Sequence, residues 1–332
     1  MTSDRYETQV VAALRAVALR PPDAFLWFGR RETVRDGDGG EPRERLLQHI
    51  AGRLHRDFFS AAAPRPRRGG PVTAPDDDGA FVRALSQANG GRGAWEGGWR
   101  LVEVGADAAL SVMRPDGFVL VAPGEDVRAE DAIAGGGLAQ GAQVSVRVPK
   151  ELRGFSPGFY VALGDAGVPA GDDRVGLYWN IGAAGAVTLV ARLTYALNGA
   201  GLPFSFELLD NPARLGRGDA AVLTVARSDF MTAIKLARPL LRPLGAHLGD
   251  AAPAFTKPLA RGLAVAEPPA GGERFGAQCC RLLAEAIVAA GEAGAHSTEA
   301  RTDAVRERFA AAGMSLDAPY LQPGSPDAYA LS

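Results

Sequence analysis

The chain has 332 residues, 47% of them hydrophobic and 22% charged, with a net charge of −2. That length buries a full core as one large or two smaller domains, and the near-neutral balance argues against a general nucleic-acid or membrane-surface binder. No apolar run approaches the roughly 20 residues of a membrane span, and Asp4 and Glu7 stand where a signal peptide is positive, so a cytoplasmic location is expected.

In chain order, Tyr6, Val10, Leu14 and Val17 repeat at helical spacing, and Pro21-Pro22 ends that helix. A second helix starts near Pro42, burying Leu46, Ile50, Leu54 and Phe58, with His49 and His55 riding on it as surface or core fillers. Residues 1–60 therefore read as a helical N-terminal segment. The stretch 61–80, rich in Pro, Gly and charge, cannot pack and reads as a flexible linker. From 81 to 332 the pattern is that of one α+β domain. Phe81–Ala88 is a short helix, followed by a meander of strands at Trp99–Val104, Ala109–Arg114, Phe118–Ala122 and Val144–Val148. Pro115-Asp-Gly117 has hairpin chemistry, so antiparallel pairing is expected.

Three further strands, Phe159–Leu163, Val175–Ile181 and Phe204–Leu209, form the centre of the chain. In the second, alternation puts Tyr178 and Asn180 on one face and Trp179 on the other. A helix carrying Leu189, Leu193 and Leu197 joins the last two. After a strand at Ala221–Val225 comes a helix with Phe230 and Ile234, for which Pro239 and Pro243 act as breakers. The Pro-rich segment Ala251–Pro269 is a structured loop around a short strand, Gly262–Ala266. Two helices close the chain, one burying Cys280, Leu283 and Ile287. The other is capped by Ser297 or Thr298 and buries Val305 and Phe309. The fold class that follows is α+β: a mixed, largely antiparallel sheet flanked by helices and preceded by the helical N-terminal segment.

Motif chemistry is sparse. No GxGxxG or P-loop follows a strand, and GxSxG, HExxH and any Cys/His cluster are missing. Cys279 and Cys280 are adjacent, which suits neither a relaxed disulfide nor a zinc site. Only three of the 36 basic residues are lysines, Lys150, Lys235 and Lys257. Where arginine fills the ordinary positive positions, a lysine marks either a place where a losable proton matters or a chance survival.

Several blocks carry a resemblance. They are Val148-Pro-Lys-Glu-Leu with Ser156-Pro-Gly-Phe-Tyr-Val-Ala-Leu-Gly164, Leu177-Tyr-Trp-Asn-Ile181, and Pro203-Phe-Ser-Phe. Asn211-Pro, Arg217-Gly-Asp-Ala-Ala-Val-Leu223, Phe255-Thr-Lys-Pro-Leu-Ala-Arg-Gly-Leu-Ala264, Arg274-Phe-Gly276 and Arg281-Leu-Leu-Ala-Glu285 follow in order. From roughly Trp99 to Leu321 the chain resembles the HopA-type effector family, named for a type III secreted bacterial effector. Relatives occur in actinobacterial peptide natural-product clusters, a branch that the Arg-, Ala- and Gly-rich composition suits. In class V lanthipeptide and thioamitide pathways such proteins are assigned the lyase half of dehydration. A separate phosphotransferase-like kinase phosphorylates Ser or Thr of a ribosomal precursor peptide, and the HopA-like protein eliminates phosphate to leave dehydroalanine or dehydrobutyrine. The resemblance thus implies a cofactor-free, metal-free lyase whose partners are a precursor peptide and a kinase, with no nucleic acid and no membrane.

Phosphate elimination needs a base for the Cα proton, a donor for the enolate-like carbonyl and cations for the leaving group. Lys150 is the first candidate base, set against the reading of a solvent-facing lysine that blunts an edge strand. Lys257 is the second. Arg214, Arg217 and Arg274 are candidates for phosphate, with Arg153 and Arg281 behind them. Asp219 either orients Arg217 or pairs with it to hold the loop. Tyr160 and Tyr178 are candidate proton donors or packing residues, and Asn180 and Asn211 candidate contacts to the peptide backbone. Phosphothreonine lyases pair a lysine base with a histidine acid. This chain has no Lys-x-His near a strand, and its four histidines lie outside the matching blocks, so the acid has no assignment. Glu207 stands where relatives carry a basic residue. A non-catalytic peptide- or kinase-binding partner, or an effector acting on host proteins, is the alternative reading.

Overall fold

The computed structural model describes residues 3–20, 24–33, 41–61, 79–105, 109–115, 117, 119–130 and 138–331, apart from the side chains of residues 3, 4 and 153–155. The expected linker therefore lies outside the described residues from 62 to 78. Helix α1 (Ser3–Ala16) buries Tyr6, Val10 and Leu14. It stops one residue before the periodic pattern does. Val17–Arg20 is a strand, β1, pairing antiparallel with β2 (Ala24–Trp27), which pairs with β3 (Arg30–Thr33). Val17 is buried in the strand, just where the helical stripe also calls for a buried residue, so hydrophobic period alone extends the helix too far; its cross-strand partner Trp27 decides the matter. Helix α2 (Pro42–Asp57) begins on a proline, whose missing N–H costs nothing there, and buries Leu46, Ile50 and Leu54. Helix α3 (Gly79–Ala88) follows.

Five strands, β4 (Ala94–Val104), β5 (Ala109–Met113), β6 (Val119–Pro123), β7 (Val127–Ala129) and β8 (Gln143–Val148), form an antiparallel sheet in the order β6-β5-β4-β8-β7. It closes over a small core of its own, with Trp99, Leu101, Val112 and Val144 at the centre. The turn expected at Pro115–Gly117 is there in part: Gly117 has φ +87° and donates to the carbonyl of Arg114, while residues 116 and 118 are outside the described set.

The main sheet has seven antiparallel strands. These are β9 (Glu151–Ser156), β10 (Phe159–Leu163), β11 (Arg174–Trp179), β12 (Ser205–Leu209), β13 (Ala221–Ala226), β14 (Lys257–Ala260) and β15 (Leu263–Ala266). Their order is β14-β15-β11-β13-β12-β10-β9. Sequence reading missed β9 and β14. β9 leads into β10 through Pro157-Gly158, where glycine takes φ +81°. β14 contains Pro258 and survives as an edge strand, where a missing donor faces no partner. The fold is α+β, as expected.

Both faces of the main sheet are covered. Helices α4 (Ala183–Gly199) and α5 (Phe230–Leu241) pack on each other as one layer. Pro239 lies inside α5, within its last turn, instead of breaking it. The other layer is α6 (Phe275–Glu292) with α2 on one flank and α7 (Thr298–Ala311) on the other, α7 in turn meeting α1. Ser297 caps α7, its hydroxyl accepting from the Ala300 N–H at 3.1 Å. At Gly276 a Cβ would stand 2.5 Å from the Phe59 ring, so the absent side chain sets how closely α6 approaches the end of α2. The N-terminal segment thus shares the main core: Tyr6, Ile50 and Phe58 belong to the same cluster as Leu177 and Phe275. No helix among the described residues is long and apolar enough to cross a membrane.

Because α2 is held by its buried stripe, Ile50→Ala is expected to cost about 2–5 kcal/mol, read as a lower urea midpoint at unchanged slope. A change within about 0.5 kcal/mol, as for surface positions, would show that α2 is only laid on the surface.

Candidate functional site

Alternation along β11 builds the floor of the site. Val175, Leu177 and Trp179 are fully buried on one side, while Arg174, Gly176 and Tyr178 face a cleft of about 840 Å³ on the other. The neighbouring strands continue this floor in register: Tyr178 opposite Val222, and Val222 opposite Glu207; Gly176 opposite Thr224, and Thr224 opposite Ser205. One wall is the start of α6, with Arg274 at its N-cap, Phe275 and Arg281. The other is α2. Its core stripe is Leu46, Ile50 and Leu54, and a second stripe beside it, Leu47, Gln48, Ala51, His55 and Arg56, lines the cleft together with Phe59.

His55 is half-buried, stacked on Phe59 with ring centroids 5.3 Å apart and planes 20° apart. Its ring nitrogens have no hydrogen-bond partner among the described residues. Burial pushes its pKa below the ordinary 6.5; Asp219 opposes the shift, and Arg217, Arg274 and Arg56 reinforce it. The imidazole is therefore neutral at neutral pH, with a lone pair available. Tyr178 is the complement. Burial, helped by nearby Cys279, Asp219 and Glu207 and opposed by Arg274, drives its hydroxyl well above the usual phenol range, so it stays a donor. It too has no hydrogen-bond partner among the described residues. Asp219 and Arg274 act on both groups, which places all four in one neighbourhood.

Most arginines here are already engaged. Arg274 donates to Glu207 at 2.7 Å and Ser156 at 2.8 Å, and lies over the Phe159 ring at 4.6 Å. Arg281 grips Glu273 through two nitrogens and reaches Glu285 at 3.2 Å. Arg217 makes a two-pronged pair with Asp219 at 2.6 and 2.9 Å, a contact that both readings of these two residues share. Arg217 itself does not line the cleft, whereas Asp219 does. Arg56 is exposed on the rim without an ion pair among the described residues.

The remaining sequence-derived candidates lie elsewhere. The Lys150 ammonium donates to the carbonyls of Ser86 (2.9 Å) and Asn89 (3.0 Å), closing the end of α3, where a cation is favoured. Lys257 is paired with Asp327 at 2.7 Å in the C-terminal segment. Tyr160 is buried, donating to Glu151 at 2.7 Å and accepting from Asn89 at 3.0 Å. β11 ends at Trp179, so alternation does not carry Asn180 onto Tyr178's face: Asn180 is buried and donates to the Ala251 carbonyl. Asn211 caps the turn at Pro212–Arg214, accepting from the Ala213 N–H at 2.9 Å. Arg214 is exposed above Gly158, outside the cleft, and the Arg153 side chain is outside the described set. The structure thus gathers Tyr178, Arg274, Arg281 and Asp219 and adds His55, Arg56 and Arg174, which sequence reading did not select. The available signal was the second helical stripe of α2. No group of three or more His, Cys, Asp or Glu among the described residues is placed to hold a metal ion.

Residues 152–321 match the HopA1 effector protein family. An effector protein from Pseudomonas syringae pv. tomato strain DC3000 has a similar solved structure, with a TM-score of 0.50 at 15% identity, covering 97% of this chain and 99% of that one. Another, from Pseudomonas syringae pv. syringae strain 61, has a TM-score of 0.44 at 16% identity, covering 85% and 97%. At such identity the first likeness speaks to the fold alone. No curated protein matches the chain.

The depressed His55 pKa has a sign that can be measured. As pH falls through 6.5 the unfolded chain takes up a proton that the folded chain refuses, so stability is lost on acidification through and below that value. His55→Gln is expected to flatten this part of the stability–pH curve, and the His55 ring resonances to titrate below 6.5. A midpoint at or above 6.5 would contradict the environment described.

Proposed function

The chain belongs to the HopA1 effector protein family, and we propose that it is a lyase that removes phosphate from phosphoserine or phosphothreonine of a peptide. The observation that carries this reading is the neutral, unpartnered His55 imidazole sharing a cleft with the Tyr178 hydroxyl and the guanidiniums of Arg56 and Arg274. His55 takes the Cα proton. The electron pair of that C–H bond becomes the Cα=Cβ double bond, the Cβ–O bond breaks, and phosphate departs with its electrons. The products are dehydroalanine or dehydrobutyrine and inorganic phosphate. Tyr178 donates to the carbonyl oxygen as enolate character develops, where a positioned donor acts on the transition state more than on the substrate. Arg56 and the unused donors of Arg274 hold the leaving group. The step is redox-neutral and needs no electron carrier. The peptide is a ribosomal precursor, as the sequence resemblance implies, and a separate phosphotransferase-like kinase supplies its phosphate ester.

A second reading is favoured by the charge balance. Arg56, Arg174, Arg274 and Arg281 face Glu44, Glu207, Asp219, Glu273 and Glu285, so the cleft is no open cationic basin. Such a lining suits capture of an extended peptide without catalysis.

Mass spectrometry of a Ser/Thr-phosphorylated peptide incubated with the protein separates the two. The lyase reading expects loss of one phosphoric acid per site, and a rate lower by about 10²–10⁴ in His55→Ala, the usual contribution of a positioned base, with peptide affinity retained. Full activity in His55→Ala together with loss in Lys150→Ala would move the base to Lys150. A phosphopeptide bound but returned intact, even beside the kinase, would leave the capture reading.

A further inference from the structure

At the far end of the cleft from His55 stands Arg174, the first residue of β11. Its side chain is only 25% exposed, yet its guanidinium makes no hydrogen bond with any described residue. The nearest carboxylate is Asp172, 3.6 Å from one nitrogen; it is 63% exposed and accepts from the Gly271 N–H at 3.2 Å. The Nε is buried without an acceptor. A largely buried guanidinium whose Nε has no acceptor is costly and calls for a partner. The other cleft-wall arginines, 274 and 281, each have a carboxylate within 3 Å.

Beside it the sheet presents hydroxyls. Thr224 and Ser205 sit opposite each other on β13 and β12, line the cleft, and have side-chain oxygens without a partner among the described residues. Gly176 completes that row. A Cβ there would approach the Tyr178 ring at 3.2 Å and Val222 at 3.4 Å, so glycine leaves the floor open between Arg174 and Tyr178. The two are four positions apart along the strand, roughly 14 Å at about 3.4 Å per residue. An extended peptide along this floor advances at the same rate and returns a side chain to the same face at every second position. The fourth residue from the one at Tyr178 therefore reaches Arg174.

We infer that Arg174, Ser205 and Thr224 form a second anion subsite, which takes an acidic side chain of the peptide four residues from the phosphorylated one. This deepens the proposed function and rests on it for the placing of the phosphorylated residue. The anion is a carboxylate of Asp or Glu or a second phosphate ester; both offer oxygens to a guanidinium fork and to hydroxyl donors.

The test is fluorescence anisotropy with labelled peptides carrying the phosphonomethyl analogue of phosphothreonine, in which no C–O bond can break. Glutamate is placed four residues away on either side, three residues away, or replaced by alanine; a further peptide carries the phosphonomethyl analogue of phosphoserine at position four. Glutamate at four on one side is expected to tighten Kd about tenfold, the scale of one charge-assisted hydrogen bond, with no gain at three. Arg174→Gln is expected to remove that gain, and comparison with the phosphoserine analogue tells carboxylate from phosphate. Should Arg174→Gln melt early, the Ser205→Ala/Thr224→Ala pair reads the same subsite. Equal Kd for the alanine and position-four peptides, or a gain that persists in both variants, would overturn the subsite. Failure of the lyase reading is read separately, as an ordinary phosphopeptide returned intact while the position-four preference stands.

Discussion

A sheet covered on both faces leaves little room for polar side chains, and the structure follows from how β11 meets that constraint. Its odd-numbered side chains, Val175, Leu177 and Trp179, are fully buried. The even-numbered face carries Arg174, Gly176 and Tyr178, and β12 and β13 add Ser205, Glu207 and Thr224 beside them. Closing a helix directly over such a row would strand hydroxyls and charges at a cost of order 1–3 kcal/mol each. Here α2 and α6 stand on either side of the row instead, and the cleft lies between them. Gly276 and Phe59 set how closely the two helices meet at its end.

Within the cleft, pairing decides which groups are available. Arg274 and Arg281 each hold a carboxylate at hydrogen-bonding distance, which fixes the α6 wall, and Arg217, outside the lining, holds Asp219. The groups without a hydrogen bond among the described residues are of other kinds: the His55 ring, the Tyr178 hydroxyl, Arg56 on the rim and, at the far end, Arg174, whose nearest carboxylate is 3.6 Å away. Neutral His55 among four charged neighbours reflects burial winning over the one carboxylate that would hold its proton, with three arginines adding to the same side. Asp219 is withheld from full effect because Arg217 already grips both its oxygens.

Local periodicity exposed the helices and most strands because their buried faces are continuous. It failed where pairing decides. Val17 fits the helical stripe of α1, yet its strand partner Trp27 takes it out of the helix. Pro258 suggests a loop but sits on an edge strand, and Pro239 suggests a break but falls within the last turn of α5. Tyr178, Arg274, Arg281 and Asp219 were legible as site candidates because they stand in motif-like blocks around one strand. Lys150 was drawn in by its rarity, and its ammonium closes the end of α3. Nothing in spacing along the chain announces that acceptor pair, since Ser86 and Asn89 lie more than 60 residues away.

His55 reads in the sequence as a surface or core filler, for a different reason. The part of the chain that matches the family begins at residue 152, whereas α2 ends at Asp57. The matched part supplies the floor and the α6 wall, and the N-terminal segment supplies the facing wall with the imidazole. The matched region alone therefore holds only part of the cleft. The same division gives the N-terminal segment its importance. Ile50 and Leu54 anchor α2 in the main core, and their neighbours one stripe over set what faces Tyr178. Exchange of a single side chain on that stripe alters the proton chemistry of the cleft without touching the sheet that defines the fold.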